Sequence, residues 1–310
     1  MTHTTNNAVE VRNLTVTFGG FKAVDHISFT VSSGEIFGFL GANGAGKTTT
    51  IRVLCGLLTP TAGEVRVAGQ DPAKGLQAVK EKVGYMSQKF TLYPDMTVKE
   101  NLSFAASLRK IPAPIFQQRM EELFKLTGFD GSPHTLVKNL PGGLKQDISL
   151  IAALLHRPEI VFLDEPTAGV TPAARSRFWE LIRRIAEQGK TVFVTTHYMD
   201  EAEQCGRIAL MREGQIVALD PPETLKKNAF PESLFELSPK SAQDRGWIKT
   251  LQQNNNILSL KPYGMRYHAV VKDEKAWRTL ASQMSEQFDM RPIQPSLEDV
   301  FIRVVEGFSK

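Results

Sequence analysis

Apolar residues recur at Val9, Val11, Leu14, Val16 and Phe18, the near-alternating pattern of a strand with one buried face. Residues 26–31 predict a second such strand. After Ser32-Ser33-Gly34, the run Glu35-Ile36-Phe37-Gly38-Phe39-Leu40 is apolar on both faces and predicts a central strand covered from both sides. A helical period then runs from Lys47 to about Leu57 and stops at Thr59-Pro60. Residues 63–69 predict another strand, with Val65 and Val67 alternating against polar neighbours. Helical spacing returns over about 98–109, 115–127 and 143–156. Residues 160–163 and 191–195 are further buried strands. Between them Thr171 and Pro172 have the form of an N-cap and first helical residue, opening a helix closed at Gly189. Residues 207–219 predict a hairpin turning at Glu213-Gly214.

A boundary is expected between Asp220-Pro221-Pro222 and Pro231. Beyond it, short strands (234–237, 257–260, 267–271) alternate with helices (about 241–252, 274–287, 296–306), which predicts a small α+β domain. Residues 1–7 are polar and expected to be disordered. A chain of 310 residues has room for two such domains. Its 37 basic and 33 acidic residues leave +4, compatible with an anionic partner without requiring one. From Lys226 onward 13 basic face 10 acidic residues, so the tail is no basic patch. Cys55 and Cys205, the two cysteines, are too few for a disulfide framework or a Cys-based zinc site. The most apolar stretch, residues 148–155, falls well short of the roughly 18 residues a spanning helix needs. The start, MTHTTNNAVE, lacks the basic and apolar regions of a signal peptide. A soluble, cytoplasmic chain is expected, with any membrane span supplied by another chain.

Two segments carry chemistry. Gly41-Ala42-Asn43-Gly44-Ala45-Gly46-Lys47-Thr48 fits G-x-x-x-x-G-K-[ST], between a buried strand and a helix as that pattern requires. Its glycines let successive backbone N–H groups turn inward around phosphates, Lys47 adds a point charge, and the Thr48 hydroxyl can ligate Mg²⁺. The second segment is Ile160-Val161-Phe162-Leu163-Asp164-Glu165. An apolar strand ending in a carboxylate brings Asp164 to the C-terminal edge of a parallel sheet, where it can hold Mg²⁺ through water. Glu165, the next residue, is expected to point the other way along the pleat and to accept a proton from an attacking water.

The order of these pieces resembles the ATP-binding subunit of ABC transporters, from about Val9 to Leu225. The resemblance implies an α/β fold, a P-loop NTPase of the ABC ATPase type: a parallel-sheet core, an antiparallel β subdomain and a helical subdomain at about 89–157. The nucleotide-binding domain would cover 8–225, with a C-terminal accessory or regulatory domain at 226–310. It implies that Gly41, Asn43, Gly44, Ala45, Gly46, Lys47, Thr48 and Thr49 surround the phosphates of ATP, and that Thr48, Gln88 and Asp164 (through water) hold Mg²⁺. Gln88, in Tyr85-Met86-Ser87-Gln88-Lys89-Phe90, looks like the Q-loop glutamine, and His197, in Val194-Thr195-Thr196-His197, like the switch histidine at the γ-phosphate. Phe18 matches the aromatic that stacks on adenine. Leu140-Pro141-Gly142-Gly143 stands at the signature position, where Gly142 and Gly143 would serve the nucleotide of a second ATPase subunit, in a homodimer or heterodimer. Gly38-Phe39-Leu40-Gly41-Ala42-Asn43, Cys55-Gly56-Leu57-Leu58 and Pro295-Ser296-Leu297-Glu298-Asp299-Val300-Phe301 are similar to ATPases of ABC-2-type exporters, of drugs or polysaccharide. A separate transmembrane permease is then the implied partner, with this chain peripheral on the inner face of the membrane.

Four positions depart from the family pattern. Pro141 replaces the signature serine and supplies neither hydroxyl nor N–H. Leu144 stands for the usual Gln, Asp147 for Arg or Lys, and Thr171 for the D-loop aspartate. An attenuated ATPase, or a nucleotide-binding module paired with an intact subunit, is the alternative these raise. No Asn-Lys-x-Asp motif for guanine and no aromatic–basic stripe for nucleic acid is present, and no nucleic-acid partner is expected.

Overall fold

A computed structural model describes residues 7–89, 91–241 and 246–306. The expectations for residues 1–6, for Phe90 and for 242–245 fall outside the described residues; Asn7 is the first residue of a strand. The chain forms two compact units, divided after Leu219. Residues 220–225, expected in the first domain, therefore group with the second unit.

The first unit begins with strands β1 (Asn7–Phe18), β2 (Phe21–Ser32) and β3 (Ile36–Leu40), followed by α1 (Lys47–Leu54), β4 (Ala62–Val67), α2 (Leu76–Lys82) and β5 (Val83–Met86). Helices α3 (Val98–Leu108), α4 (Ala113–Thr127) and α5 (Gly142–Leu154) come next. They lead to β6 (Ile160–Asp164), α6 (Pro172–Glu187), β7 (Thr191–Thr196), α7 (Met199–Ala202), β8 (Arg207–Arg212) and β9 (Gln215–Asp220). β2, β1 and β4 make an antiparallel sheet, and a six-stranded sheet has the order β5-β6-β7-β3-β8-β9. Its strands from β5 to β8 pair in parallel.

That sheet separates two cores, as its doubly apolar strands require. Phe37, Phe39, Phe162 and Phe193 join Phe29 of β2 and Ile51 and Leu54 of α1 on one face. The alternate residues Val161, Leu163, Val192 and Val194 pack with α3, α5 and α6 on the other. Thr171 caps α6 as expected, accepting from the Ala174 N–H at 3.4 Å. Of these elements α2, β5 and α7 went unread in the sequence; β5 and α7, four residues each, are too short to establish a period.

The second unit contains α8 (Pro222–Ala229), β10 (Ser233–Pro239), α9 (Gly246–Gln252), β11 (Ile257–Tyr263), β12 (Arg266–Val271), α10 (Glu274–Gln283), β13 (Phe288–Ile293) and α11 (Leu297–Glu306). From β10 to β13 the order is βαββαβ, and the antiparallel sheet runs β11-β12-β10-β13, a split-βαβ arrangement. Trp247, Trp277, Phe235 and Phe288 fill its core. α8 was missed in the sequence, where residues 220–231 were read as a boundary, and so was β13, since Asp289, Arg291 and Pro292 interrupt the apolar pattern. No helix among the described residues is long and apolar enough to cross a membrane.

Candidate functional site

Four adjacent strands end level with one another, because parallel pairing matches Met86 with Leu163, Asp164 with Thr195, and Leu40 with Thr196. The segments leaving these ends carry Gly41–Lys47, Gln88, Asp164–Glu165 and His197. Residues far apart in the chain thus share one edge, the carboxyl edge at which ligands of parallel sheets bind.

The loop after β3 is shaped by two close approaches. A Cβ on Gly41 would stand 2.4 Å from the Met211 carbonyl oxygen, and one on Gly46 would stand 2.5 Å from that of Ala23. Gly46 also has φ +106, a conformation side chains disfavour. The first hydrogen bond of α1 is Thr50 N–H to Gly46 O at 2.9 Å, so the amides of Lys47, Thr48 and Thr49 precede it and face outward at the positive end of the helix. Ala45 N–H instead donates to Ala42 O at 3.2 Å within the loop.

Glu165 is the centre of the cluster. Its side chain is 6% exposed, with Oε1 3.2 Å from Lys47 Nζ, itself 3% exposed. Gln88 Nε2 donates to Oε2 at 2.9 Å. His197 Nδ1 lies 3.3 Å from the same oxygen, outside hydrogen-bond alignment. Lys47 also donates to the carbonyls of Gly41 and Ala42 at 2.8 and 3.1 Å.

The expectation that Glu165 points away from Asp164 is overturned. β6 ends at Asp164, and Glu165 lies beyond it at φ +47, so pleat alternation no longer governs its side chain. Its N–H donates to the carbonyl and hydroxyl oxygens of Thr195, at 3.1 and 2.9 Å, which anchors the turn. Both carboxylates therefore face the loop after β3.

Asp164 is buried, and burial holds its carboxyl above the ordinary range, against the opposing effect of two hydroxyl donors. Thr195 Oγ1 donates to Oδ1 at 2.7 Å and Thr48 Oγ1 to the same oxygen at 3.0 Å. Oδ2 is buried without a hydrogen-bond partner among the described residues. A buried, partnerless carboxylate oxygen beside a threonine hydroxyl suits a hard divalent cation such as Mg²⁺, which takes oxygen ligands.

A cleft of about 370 Å³ opens over these groups, lined by Phe18, Phe21, Asn43, Gly44, Gly46, Lys47, Thr48, Thr49, Gln88 and Glu165. Phe18 and Phe21, 52% and 64% exposed, both line this cleft. Gly142 and Gly143 begin α5, capped by Pro141, and do not line this cleft. Gly143 instead abuts α6, where a Cβ would meet Ala174 Cβ at 3.4 Å. Asp147 is buried against Arg177 of α6.

Sequence reasoning missed Phe21 and Thr195. Phe21 follows Gly19-Gly20 on the far side of the turn from Phe18, and that symmetry was the available signal. Thr195 is one of two threonines closing β7, after the apolar Val192-Phe193-Val194; only strand pairing shows that it stands beside Asp164.

Comparison with known proteins agrees with this geometry. A sequence model described as "ABC transporter" matches residues 24–168. The chain is 33% identical over 299 residues to "Nod factor export ATP-binding protein I" of Burkholderia lata, covering 96% of each protein. It is 43% identical over 243 residues to "Probable multidrug ABC transporter ATP-binding protein YbhF" of Escherichia coli K12. That match takes in 78% of this chain but spans only 41% of the relative's length. Among solved structures, cbiO1 of Clostridium perfringens, part of the ABC transporter complex cbiONQ, superposes with a TM-score of 0.66 at 26% identity. The superposition covers 71% of this chain and 90% of that one.

Proposed function

Because the chain belongs to the ATP-binding subunits of ABC transporters, we propose that it binds ATP in the cleft above Glu165 and hydrolyses it to drive a separate membrane permease of an export system. The convergence of Lys47, Gln88 and His197 on the one carboxylate of Glu165 carries the assignment of the catalytic centre.

The triphosphate would lie along the loop after β3, its oxygens accepting from the amides of Gly46, Lys47, Thr48 and Thr49. Phe18 and Phe21 offer faces to the adenine ring. Phosphate oxygens compete with Glu165 for the Lys47 ammonium. As Lys47 turns to phosphate, Oε1 of Glu165 is released to accept the proton of an attacking water. Gln88 keeps hold of Oε2, and His197 stands beside the same oxygen, positioned to donate to the γ-phosphate. Thr48, Asp164 and Gln88 are the residues that would hold Mg²⁺, which when bound neutralises charge developing on the phosphate oxygens.

Gly142 and Gly143 lie at the start of α5, next to the capped start of α6, on a part of the surface that could meet a second ATPase subunit. In this reading they donate amides to the second subunit's nucleotide, while Pro141 contributes none. Drugs or Nod factors are the exported substrates suggested by the names of the relatives, and the chain would sit peripherally on the inner face of the membrane. The test is steady-state ATP hydrolysis by the wild type and Glu165→Gln. The variant should keep ATP binding and lose about 10²–10⁴ in rate. Comparable rates would remove Glu165 as the base.

A further inference from the structure

Glu201 is a wholly buried carboxylate that the hydrolysis scheme leaves unused. It sits on the short helix α7, and its two oxygens reach two different segments of the catalytic edge. Oε1 accepts from the hydroxyl of Thr167, two residues beyond Glu165. Oε2 accepts from the hydroxyl of Thr196 at 2.6 Å, immediately before His197. The Thr196 hydroxyl oxygen in turn accepts the N–H of Tyr198 at 3.0 Å, so the backbone on both sides of His197 is fixed to one group. A closed ring results: Glu165, along the chain to Thr167, across Glu201 to Thr196, along the chain to His197, and back to Glu165 at 3.3 Å.

A buried charge needs a counter-ion. Arg175 of α6 provides it, with Nε 3.3 Å from Glu201 Oε1 and Nη1 3.5 Å from Asp200. Its guanidinium lies 3.7 Å over the Tyr198 ring, and that ring is 4.1 Å from the ring of His197. Arg175 is in the first turn of α6, one turn from the Thr171 cap. The carboxylate thus ties together the segment after the proposed base, the segment holding the histidine, and the helix that follows the D-loop position.

From this geometry we infer that Glu201 is a positioning residue for ATP hydrolysis: it sets the distance between His197 and Glu165 and passes displacements of α6 to both. The inference rests on the proposed ATPase reading of the same site. A neutral glutamine accepts from one threonine but turns an amide NH₂ toward the other, whose hydroxyl must reverse to accept it, and leaves Arg175 without its counter-charge, so the charge-assisted links of the ring are lost with little change in volume.

The experiment uses the full chain with Mg²⁺ and ATP. For Glu201→Gln, kcat should fall by about 10-fold or more, the scale set by an ångström-level misplacement of catalytic groups. KM and the affinity for a fluorescent ATP analogue should stay within about threefold, since the phosphate loop is untouched. Thr196→Val removes the same link from its other end, so Glu201→Gln/Thr196→Val should be no slower than the slower single variant. If Glu201→Gln does not fold, Thr167→Val/Thr196→Val opens the ring with the carboxylate retained and should show the same loss of kcat. A Glu201→Gln kcat near that of the wild type overturns the inference, as does a double variant whose losses multiply. A wild type without activity, or a Glu165→Gln variant as active as the wild type, instead brings down the ATPase reading itself.

Discussion

Thr195→Val isolates the hydroxyl that joins the two acidic residues of the site. In the folded chain it donates to Asp164 Oδ1 at 2.7 Å and accepts from the Glu165 N–H at 2.9 Å. Valine has the same shape and neither function. Asp164 would retain one side-chain donor, Thr48, and its Oδ2 already lacks a partner among the described residues. A hydrogen bond to a buried charge contributes about 1.5–3 kcal/mol. The Glu165 N–H keeps the Thr195 carbonyl at 3.1 Å, so its loss adds little. The expected destabilisation is about 1.5–3 kcal/mol, a large part of a typical domain's stability. The pH dependence has a definite sign. Burial raises the Asp164 carboxyl and the Thr195 hydroxyl opposes that rise, so the valine variant titrates higher still. The hydroxyl favours the ionised form. Its contribution is complete where Asp164 is charged in both proteins and is lost as pH falls through the folded values. Urea unfolding at neutral and mildly acidic pH measures both effects. Equal stability at neutral pH, or a penalty that grows on acidification, would refute this account of the carboxylate pair.

Two further predictions follow from the same geometry. Phe21→Ala should raise the KM for ATP by roughly 5–100-fold, the range of one lost base–aromatic stack, with Phe18→Ala as comparison; an unchanged KM would leave Phe21 outside the adenine site. Asp147 is pushed up to about 6 by burial that Arg177 only partly offsets. Below both its folded and unfolded values it is neutral in both states; as pH rises from its ordinary carboxylate range to about 6, folded-state stability is progressively lost, and above about 6 the full cost of burying the ionised group is borne. Asp147→Asn should therefore gain about 1–3 kcal/mol on the wild type between acidic and neutral pH, read from paired unfolding curves. A pH-independent difference between the two proteins would contradict the assignment.

Periodicity, punctuation and one glycine-rich motif were enough to place most strands and helices of the cassette and to mark Lys47, Thr48, Asp164 and Glu165 as candidates, while Phe18, Gln88 and His197 were singled out only by the family resemblance. Fully covered strands such as β3 and β6 were legible because a chain buried on both faces must be apolar throughout. Short or interrupted elements were not: β5 is four residues long, and β13 carries charges on its outer positions. The phosphate loop declared itself locally, since its function depends on the backbone freedom of neighbouring residues. What only tertiary structure decided was which side chains share an atom. Parallel pairing brings Gln88, Glu165 and His197 to adjacent strand ends, and no local pattern encodes that register. The direction of Glu165 depended on a single positive φ just past the end of β6, where the alternation rule has no force. The ring through Thr167, Glu201 and Thr196 was invisible for the same reason: a buried carboxylate is recognisable only once the fold has taken it out of water and shown what answers its charge.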